Sequence, residues 1–238
     1  MKTLNWGIIG CGRIAAKFAR GLQTLKGCRL VAAASLSEGK AERFAVQFGI
    51  PRFYTDYETL VRDPDIHIVY IASLHNAHCG NTLLALNNGK HVLCEKPFAL
   101  NGDQAQQMAE AARSNDLFLM EAMWTRFLPA SRKLKRLIDE GGIGEVKHLR
   151  AEFGFHVPWD PDDRLHSLPL SGGSLLDLGI YPVSYARWIF GCDPESIQST
   201  ADIGRSGVDE QSSYFFPTRE ADRPIFFPLS RSGFRTKP

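Results

Sequence analysis

The chain has 238 residues, of which 44% are hydrophobic and 23% are charged, as in ordinary globular proteins. A net charge of +2, without a run of Lys or Arg, argues against a nucleic-acid or membrane-surface partner. The apolar run after Met1 is too short for a signal peptide core or a membrane span. We therefore expect a cytoplasmic protein that binds neither nucleic acid nor membrane.

The first half alternates short apolar runs with amphipathic segments. This pattern predicts an α/β fold, a doubly wound parallel Rossmann sheet with helices on both faces and right-handed crossovers. We expect this NAD(P)-binding domain to cover residues 1–122. The predicted strands are residues 4–9, 29–35, 66–72, 91–94 and 117–120, and the predicted helices are residues 12–25, 39–48, 77–88 and 103–114.

The second half, residues 123–238, mixes helices and strands and predicts an α+β domain. Alternating polar and apolar residues over 145–155 predict a strand with one face on a core. Pro182 should kink the second helix or mark its first turn. The predicted helices are residues 129–140 and 174–190, the further strands are residues 196–203 and 209–216, and residues 156–172 form a loop. From about residue 214 the chain is rich in Pro and Phe, and its Phe residues follow neither the helical nor the strand period.

Five cysteines without paired spacing predict reduced thiols, and no cluster has the spacing of a metal site, so we expect no metal. Residues 10–15 read GCGRIA, a G-x-G-x-x-A motif between the first strand and the first helix. Gly10 allows the tight turn, Gly12 lets a pyrophosphate approach the backbone, and the helix N-terminus favours phosphate. The motif predicts a dinucleotide site that includes Arg13 and Ile14. The alternative is a glycine turn with only a structural role.

NAD enzymes usually carry an Asp or Glu at the end of the second strand. Here that strand ends in Ser35, Leu36 and Ser37, and no carboxylate appears before Glu38. The two serines could bond a 2′-phosphate, with Arg13 or Lys40 balancing its charge. The pattern therefore favours NADP over NAD, although these side chains could also simply be solvated.

Three segments together point to a family: GCGRIA at residues 10–15, HVLCEKP at 91–97 and SGGSLLDLGIYP at 171–182. They resemble the glucose–fructose oxidoreductase, inositol dehydrogenase and MocA family. The stretch FLMEAMWTRF at residues 118–127 is similar to the branch with trans-dihydrodiol dehydrogenase and NADP-dependent xylose dehydrogenase. The resemblance implies an NAD(P)-dependent oxidoreductase acting on a sugar or cyclic diol, with a second domain whose open sheet faces the nicotinamide.

The resemblance also implies that Lys96, Asp177 and Tyr181 belong to the active site. Oxidising a carbinol requires loss of its O–H proton while hydride leaves its carbon, and a tyrosine can take that proton beside a cation. Asp177 and Tyr181, four residues apart, would share a helix face if the helix is regular at Pro182. Taken singly, Lys96 could be a surface residue, Asp177 a helix cap and Tyr181 a core residue.

Loops after parallel strands face the ligand crevice. Ser73, His75, His78, Glu95 and Lys96 are therefore predicted neighbours of the cofactor, although solvated loop histidines are an equal alternative. The aromatic and basic residues predicted more weakly to line a substrate pocket are Trp124, Arg126, Phe153 and Phe155.

Members of the family continue beyond residue 213 with further strands and helices, and relatives form homodimers. We therefore expect an incomplete second domain, from a truncated or frame-shifted reading frame, and an interface that is incomplete. The alternative function is a non-catalytic dinucleotide-binding protein or an inactive fragment.

Overall fold

The computed structural model describes residues 3–217 and the strand at residues 225–228. The chain forms two compact units, Met1–Ala122 and Met123–Pro238. None of the helices in the described ranges has the length and apolar character that crossing a membrane requires.

The first unit is built on six parallel strands in the order β3-β2-β1-β4-β5-β6. The strands are β1 Leu4–Ile9, β2 Cys28–Ala34, β3 Arg52–Tyr54, β4 Ile68–Ile71, β5 His91–Cys94 and β6 Leu119–Glu121. The helices are α1 Arg13–Gln23, α2 Lys40–Phe48, α3 Tyr57–Arg62, α4 His78–Asn87 and α5 Gly102–Ser114. This is the doubly wound order, so the predicted Rossmann sheet is confirmed.

The central strand separates two apolar cores. Ile8 and Ile9 are both fully buried, yet each packs into a different cluster, because successive side chains of a strand point to opposite faces. Helices therefore cover both faces of the sheet, which explains why the strands of this unit read as continuous apolar runs.

The prediction missed β3 and α3, which follow one another between β2 and β4. β3 has only three residues, too few to show a period. α3 begins at a cap in which the Asp56 side chain accepts a hydrogen bond from the Thr59 N–H at 2.7 Å. Both elements are too short for a hydrophobic pattern to identify them.

The second unit contains both predicted helices and both later strands. Its elements are α6 Pro129–Asp139, a π-helical turn Leu175–Gly179, α7 Ile180–Phe190, β7 Gln198–Ile203, β8 Asp209–Phe216 and β9 Ile225–Pro228. Pro182 lies in the first turn of α7, which is one of the two alternatives predicted for it.

The strand predicted at residues 145–155 was wrong. Leu149 and Ala151 do pack against the core that contains Ala186 and Phe216, so the apolar face was identified correctly. A strand also needs a hydrogen-bonded neighbour, and no segment in the described part of the chain pairs with these residues.

The small antiparallel sheet has the order β7-β8-β9. All six residues of β7 are exposed. β9 lies in the region rich in Pro and Phe, where the sequence showed neither a helical nor a strand period. It pairs with β8 from residue 213 to residue 216. The rest of the predicted aberrant tail, residues 218–224 and 229–238, lies outside the described residues.

Candidate functional site

The glycine-rich loop begins where β1 ends. Gly10 has a φ of +92°, and a Cβ at this position would stand 2.5 Å from the backbone oxygen of Ala72, just beyond β4. Only glycine allows this conformation and this approach. The loop is thereby held at the point between β1 and β4 where the strand order reverses, which is the ligand crevice of open α/β sheets.

Gly12 stands at the N-terminus of α1 and has a different reason to be glycine. Its φ of −92° suits any residue, and an added Cβ would meet no atom within 4 Å. No side chain caps the helix, and its first turn holds no acidic residue. Arg13 and Ile14 follow as exposed residues. The helix start therefore offers open space and N–H groups that suit a phosphate.

The residues after β2 form the next part of the candidate cofactor site. Ser35 is buried, and its hydroxyl accepts a hydrogen bond from the Ser37 N–H at 3.3 Å. Ser37 and Lys40 are exposed. Burial raises the pKa of Cys11 to about 11, and the positive charge of Lys40 opposes that rise. Lys40 therefore brings a positive charge toward the glycine-rich loop.

The loop after β4 carries three predicted cofactor neighbours, and two of them are buried. His75 is 8% exposed and His78 is fully buried, with ring centroids 5.8 Å apart. His78 Nδ1 lies 2.8 Å from the Pro97 oxygen, and its Nε2 lies 3.2 Å from the Ser73 oxygen. Both ring nitrogens thus contact backbone carbonyls, which assigns His78 to the linkage between two loops. Asn81 Nδ2 donates to Ser73 Oγ at 3.0 Å.

The loop after β5 carries Glu95 and Lys96, with a cis peptide bond between Lys96 and Pro97. Glu95 is buried: its Oε1 accepts a hydrogen bond from the Tyr70 hydroxyl at 2.5 Å, and its Oε2 accepts one from the Lys96 N–H at 3.0 Å. Burial raises the pKa of Glu95, while Tyr70 and Lys96 oppose the rise. Tyr70 was missed by sequence reasoning, because a tyrosine within an apolar strand looks like a core residue.

In the second unit, Tyr181 lines an open cleft of about 320 Å³. Its hydroxyl accepts a hydrogen bond from Trp124 Nε1 at 3.0 Å, and the Phe153 ring meets its ring edge-to-face at 5.2 Å. Trp124 and Phe153, two of the predicted pocket residues, line the same cleft. The cleft thus combines aromatic faces with a phenol oxygen.

Two other predicted pocket residues lie elsewhere in this unit. Arg126 Nη2 donates to Ser184 Oγ at 2.8 Å and to the Ser184 backbone oxygen at 3.2 Å. Phe155 lines a separate small cavity of about 20 Å³, which has room for a single water molecule. Of the four predicted pocket residues, Trp124 and Phe153 are the two that line this cleft.

Asp177 lies in the π-helical turn before α7. It is 8% exposed, and one of its carboxylate oxygens pairs with Arg164 Nη2 at 3.2 Å. Asp177 lines the 20 Å³ cavity with Phe155, whereas Tyr181 lines the larger cleft. The condition for a shared face, a regular helix, is not met here, because the wider π-helical turn changes the angle between successive side chains.

Comparison with known proteins places most of the described chain in one family. Residues 4–123 match the model of an oxidoreductase family with an NAD-binding Rossmann fold, and residues 131–220 match the GFO/IDH/MocA C-terminal domain. The trans-1,2-dihydrobenzene-1,2-diol dehydrogenases of Danio rerio and Mus musculus are 43% and 42% identical, over 87% and 89% of this chain. The chain spans 63% and 64% of the lengths of these two curated relatives.

Solved structures agree with this match. A 3-ketoreductase of Actinomadura kijaniata, solved with NADP and TDP-benzene, is 29% identical, with a TM-score of 0.86 over 96% of this chain and 70% of that one. A myo-inositol 2-dehydrogenase of Lactobacillus plantarum is 25% identical, with a TM-score of 0.86 over 98% and 71%. The chain therefore belongs to the GFO/IDH/MocA family of oxidoreductases, as its motifs predicted.

Proposed function

We propose that this protein is an NADP-preferring oxidoreductase that transfers hydride between the nicotinamide and a hydroxyl-bearing carbon of a sugar or cyclic diol. The observation that carries the proposal is the start of α1, where Gly12 leaves an open, uncapped helix N-terminus beside the tight turn at Gly10. The names of the relatives, dehydrogenases of diols and inositols, support the substrate class.

The residues of the first unit fit a dinucleotide. Its pyrophosphate would meet the N–H groups of residues 12–14, where helix geometry supplies donors and a partial positive charge. Ser73 and His75 follow β4 at the same end of the sheet. The bound cofactor supplies the hydride chemistry, and the protein supplies binding and orientation.

The preference for NADP rests on the end of β2. Ser35 and Ser37 occupy positions where NAD enzymes carry a carboxylate for the ribose hydroxyls. Lys40 and Arg13 are exposed cations on the two helices that flank this strand end. A 2′-phosphate would find positive charge there and no acidic side chain within residues 34–37.

For the substrate, the cleft at Tyr181 offers aromatic faces and a phenol. Its Trp124 and Phe153 rings suit the apolar faces of a sugar or diol ring. The family motifs assign the hydroxyl proton to Tyr181 and a cationic role in catalysis to Lys96. Asp177 acts through its ion pair with Arg164 rather than as a direct proton carrier.

Thermal melts of the purified chain, titrated with NADP and with NAD, test cofactor binding first. A ligand that binds only the folded state raises the midpoint, so NADP should raise it at lower concentration than NAD. A panel of sugars and trans-diols then tests turnover, with Tyr181→Phe and Lys96→Ala as variants that should each lose about 100-fold or more. Full activity in either variant would refute its assigned role.

A second candidate, a dinucleotide-binding protein without turnover, is favoured by the separation of Asp177 and Tyr181, which line different cavities. A midpoint raised by NADP without turnover of any panel member would select this second function.

We also propose a cytoplasmic site of action, because the five cysteines are free thiols and suit a reducing compartment.

A further inference from the structure

His78 occupies an unusual position for an imidazole. It is fully buried at the first position of α4, and burying a polar ring is costly unless its nitrogens find partners. Its partners are the backbone oxygens of Pro97 at 2.8 Å and Ser73 at 3.2 Å. These carbonyls belong to the loops after β5 and β4, the two neighbouring strands whose ends carry the proposed site.

A neutral imidazole has one N–H, so it donates to one of the two oxygens at a time. Burial lowers the pKa of His78 and outweighs the contacts with the Pro97 and Ser73 carbonyls, which raise it, so the ring is kept neutral. The shorter contact identifies Nδ1 as the donor, toward the Pro97 oxygen. The hydrogen bond therefore ends on the residue directly after Lys96.

We propose that His78 is a positioning residue for Lys96: its Nδ1–H holds the Pro97 carbonyl and thereby fixes the backbone on which the Lys96 amine is carried. This inference rests on the proposed role of Lys96. His78 touches neither substrate nor cofactor in this assignment. It acts through the Lys96–Pro97 segment, whose other end is held by the Lys96 N–H bond to Glu95.

The chain offers a matched control one helical turn further along. Asn81, on the same helix, donates to Ser73 Oγ at 3.0 Å, in the loop after β4. An Asn81→Ala variant therefore loosens the loop after β4 and leaves the hydrogen bond to Pro97 in place. The two variants separate an effect on Lys96 from a general loosening of α4.

The test uses the full 238-residue chain and needs no turnover. Competitive acetylation with acetic anhydride, read by mass spectrometry, reports the reactivity of the Lys96 amine against that of exposed Lys17 on α1. His78→Leu should change the Lys96 to Lys17 ratio by about threefold to tenfold, the effect of one hydrogen bond. His78→Asn, whose amide N–H stands near the Nδ1 position, should restore the ratio, and Asn81→Ala should leave it unchanged.

An unchanged ratio in folded His78→Leu would overturn the inference, as would an equal change in Asn81→Ala. If His78→Leu does not fold, His78→Gln replaces it, because its longer amide reaches toward Ser73 instead of Pro97. Equal ratios for His78→Asn and His78→Gln would then refute the role of Nδ1. A parent chain that fails to bind NADP would refute the proposed function, while the labelling would still decide the role of His78.

Discussion

The Tyr70 hydroxyl donates to Glu95 Oε1 at 2.5 Å, with both side chains buried in the first unit. Tyr70 lies in β4, and its ring stacks on Phe18 of α1 with centroids 3.9 Å apart. Glu95 in turn accepts the Lys96 N–H through its other oxygen. β4 and α1 are therefore connected through Tyr70 and Glu95 to the loop that carries Lys96.

The first prediction concerns the hydroxyl of Tyr70. Tyr70→Phe should lower the free energy of unfolding by about 1–2 kcal/mol, because a buried carboxyl group loses a hydrogen-bond donor. Urea denaturation measures this change. Tyr185→Phe, which removes a hydroxyl from the other unit, serves as the control. Equal changes in the free energy of unfolding for the two substitutions would mean that the bond to Glu95 adds no stability beyond that of the control hydroxyl.

The second prediction concerns the pH dependence of stability. Burial raises the pKa of Glu95 above its ordinary value of 4.5. At pH values between the unfolded-state and folded-state pKa, the folded chain therefore binds more protons than the unfolded chain. The contribution of Glu95 is therefore fully present below about pH 4.5 and falls as pH rises through the folded-state pKa. Compared with Glu95→Gln, the parent chain should therefore lose stability as the pH rises from 4 to 8. A difference that stays constant over this range would contradict the prediction.

The third prediction separates the two motif glycines. Gly10→Ala should destabilise the fold by about 2 kcal/mol or more, since its φ is positive and its Cβ would meet the Ala72 oxygen. Gly12→Ala should keep stability within about 0.5 kcal/mol, because its Cβ points into open space. Gly12→Ala should nevertheless weaken NADP binding by about tenfold or more, measured by calorimetry. Undiminished binding in this variant would place the pyrophosphate elsewhere.

The fourth prediction concerns cofactor choice. Ser37→Asp should weaken NADP binding by about tenfold and improve NAD binding, since a carboxylate repels a 2′-phosphate and bonds ribose hydroxyls. Titration calorimetry with both cofactors measures the ratio of their dissociation constants. The control is Ser167→Asp, in the second unit, which should leave that ratio unchanged. An unaltered ratio in Ser37→Asp would remove Ser37 from the site.

The sequence predicted the first unit well for a physical reason. Strands buried on both faces and helices with one apolar side produce strong local patterns, so β1 and β5 were identified to the residue. The segment 145–155 shows the limit: its apolar face exists, but strand pairing depends on a remote neighbour that no local pattern encodes. The π-helical turn at Leu175–Gly179 is likewise invisible to a search for helical periodicity.

The site shows the same division. The motif located Gly10 and Gly12 because their chemistry lies in consecutive residues. The contacts of His78 could not be read from the sequence, since the two carbonyl oxygens near its ring lie nineteen and five residues away. Glu95 was predicted beside the cofactor, while its carboxyl group bonds to Tyr70 in the interior. The sequence placed Glu95 in the loop after β5 but did not show which way its side chain faces.

The exposure of β7 has a practical consequence. β7 pairs with β8 along one side, and in the described part of the chain its other side meets no strand, so backbone N–H and C=O groups line that side. Such an edge is a template onto which another extended chain can add. At the high concentrations used for crystallisation, self-association should begin at this edge, and a lysine placed in β7 at residue 201 should raise the solubility limit.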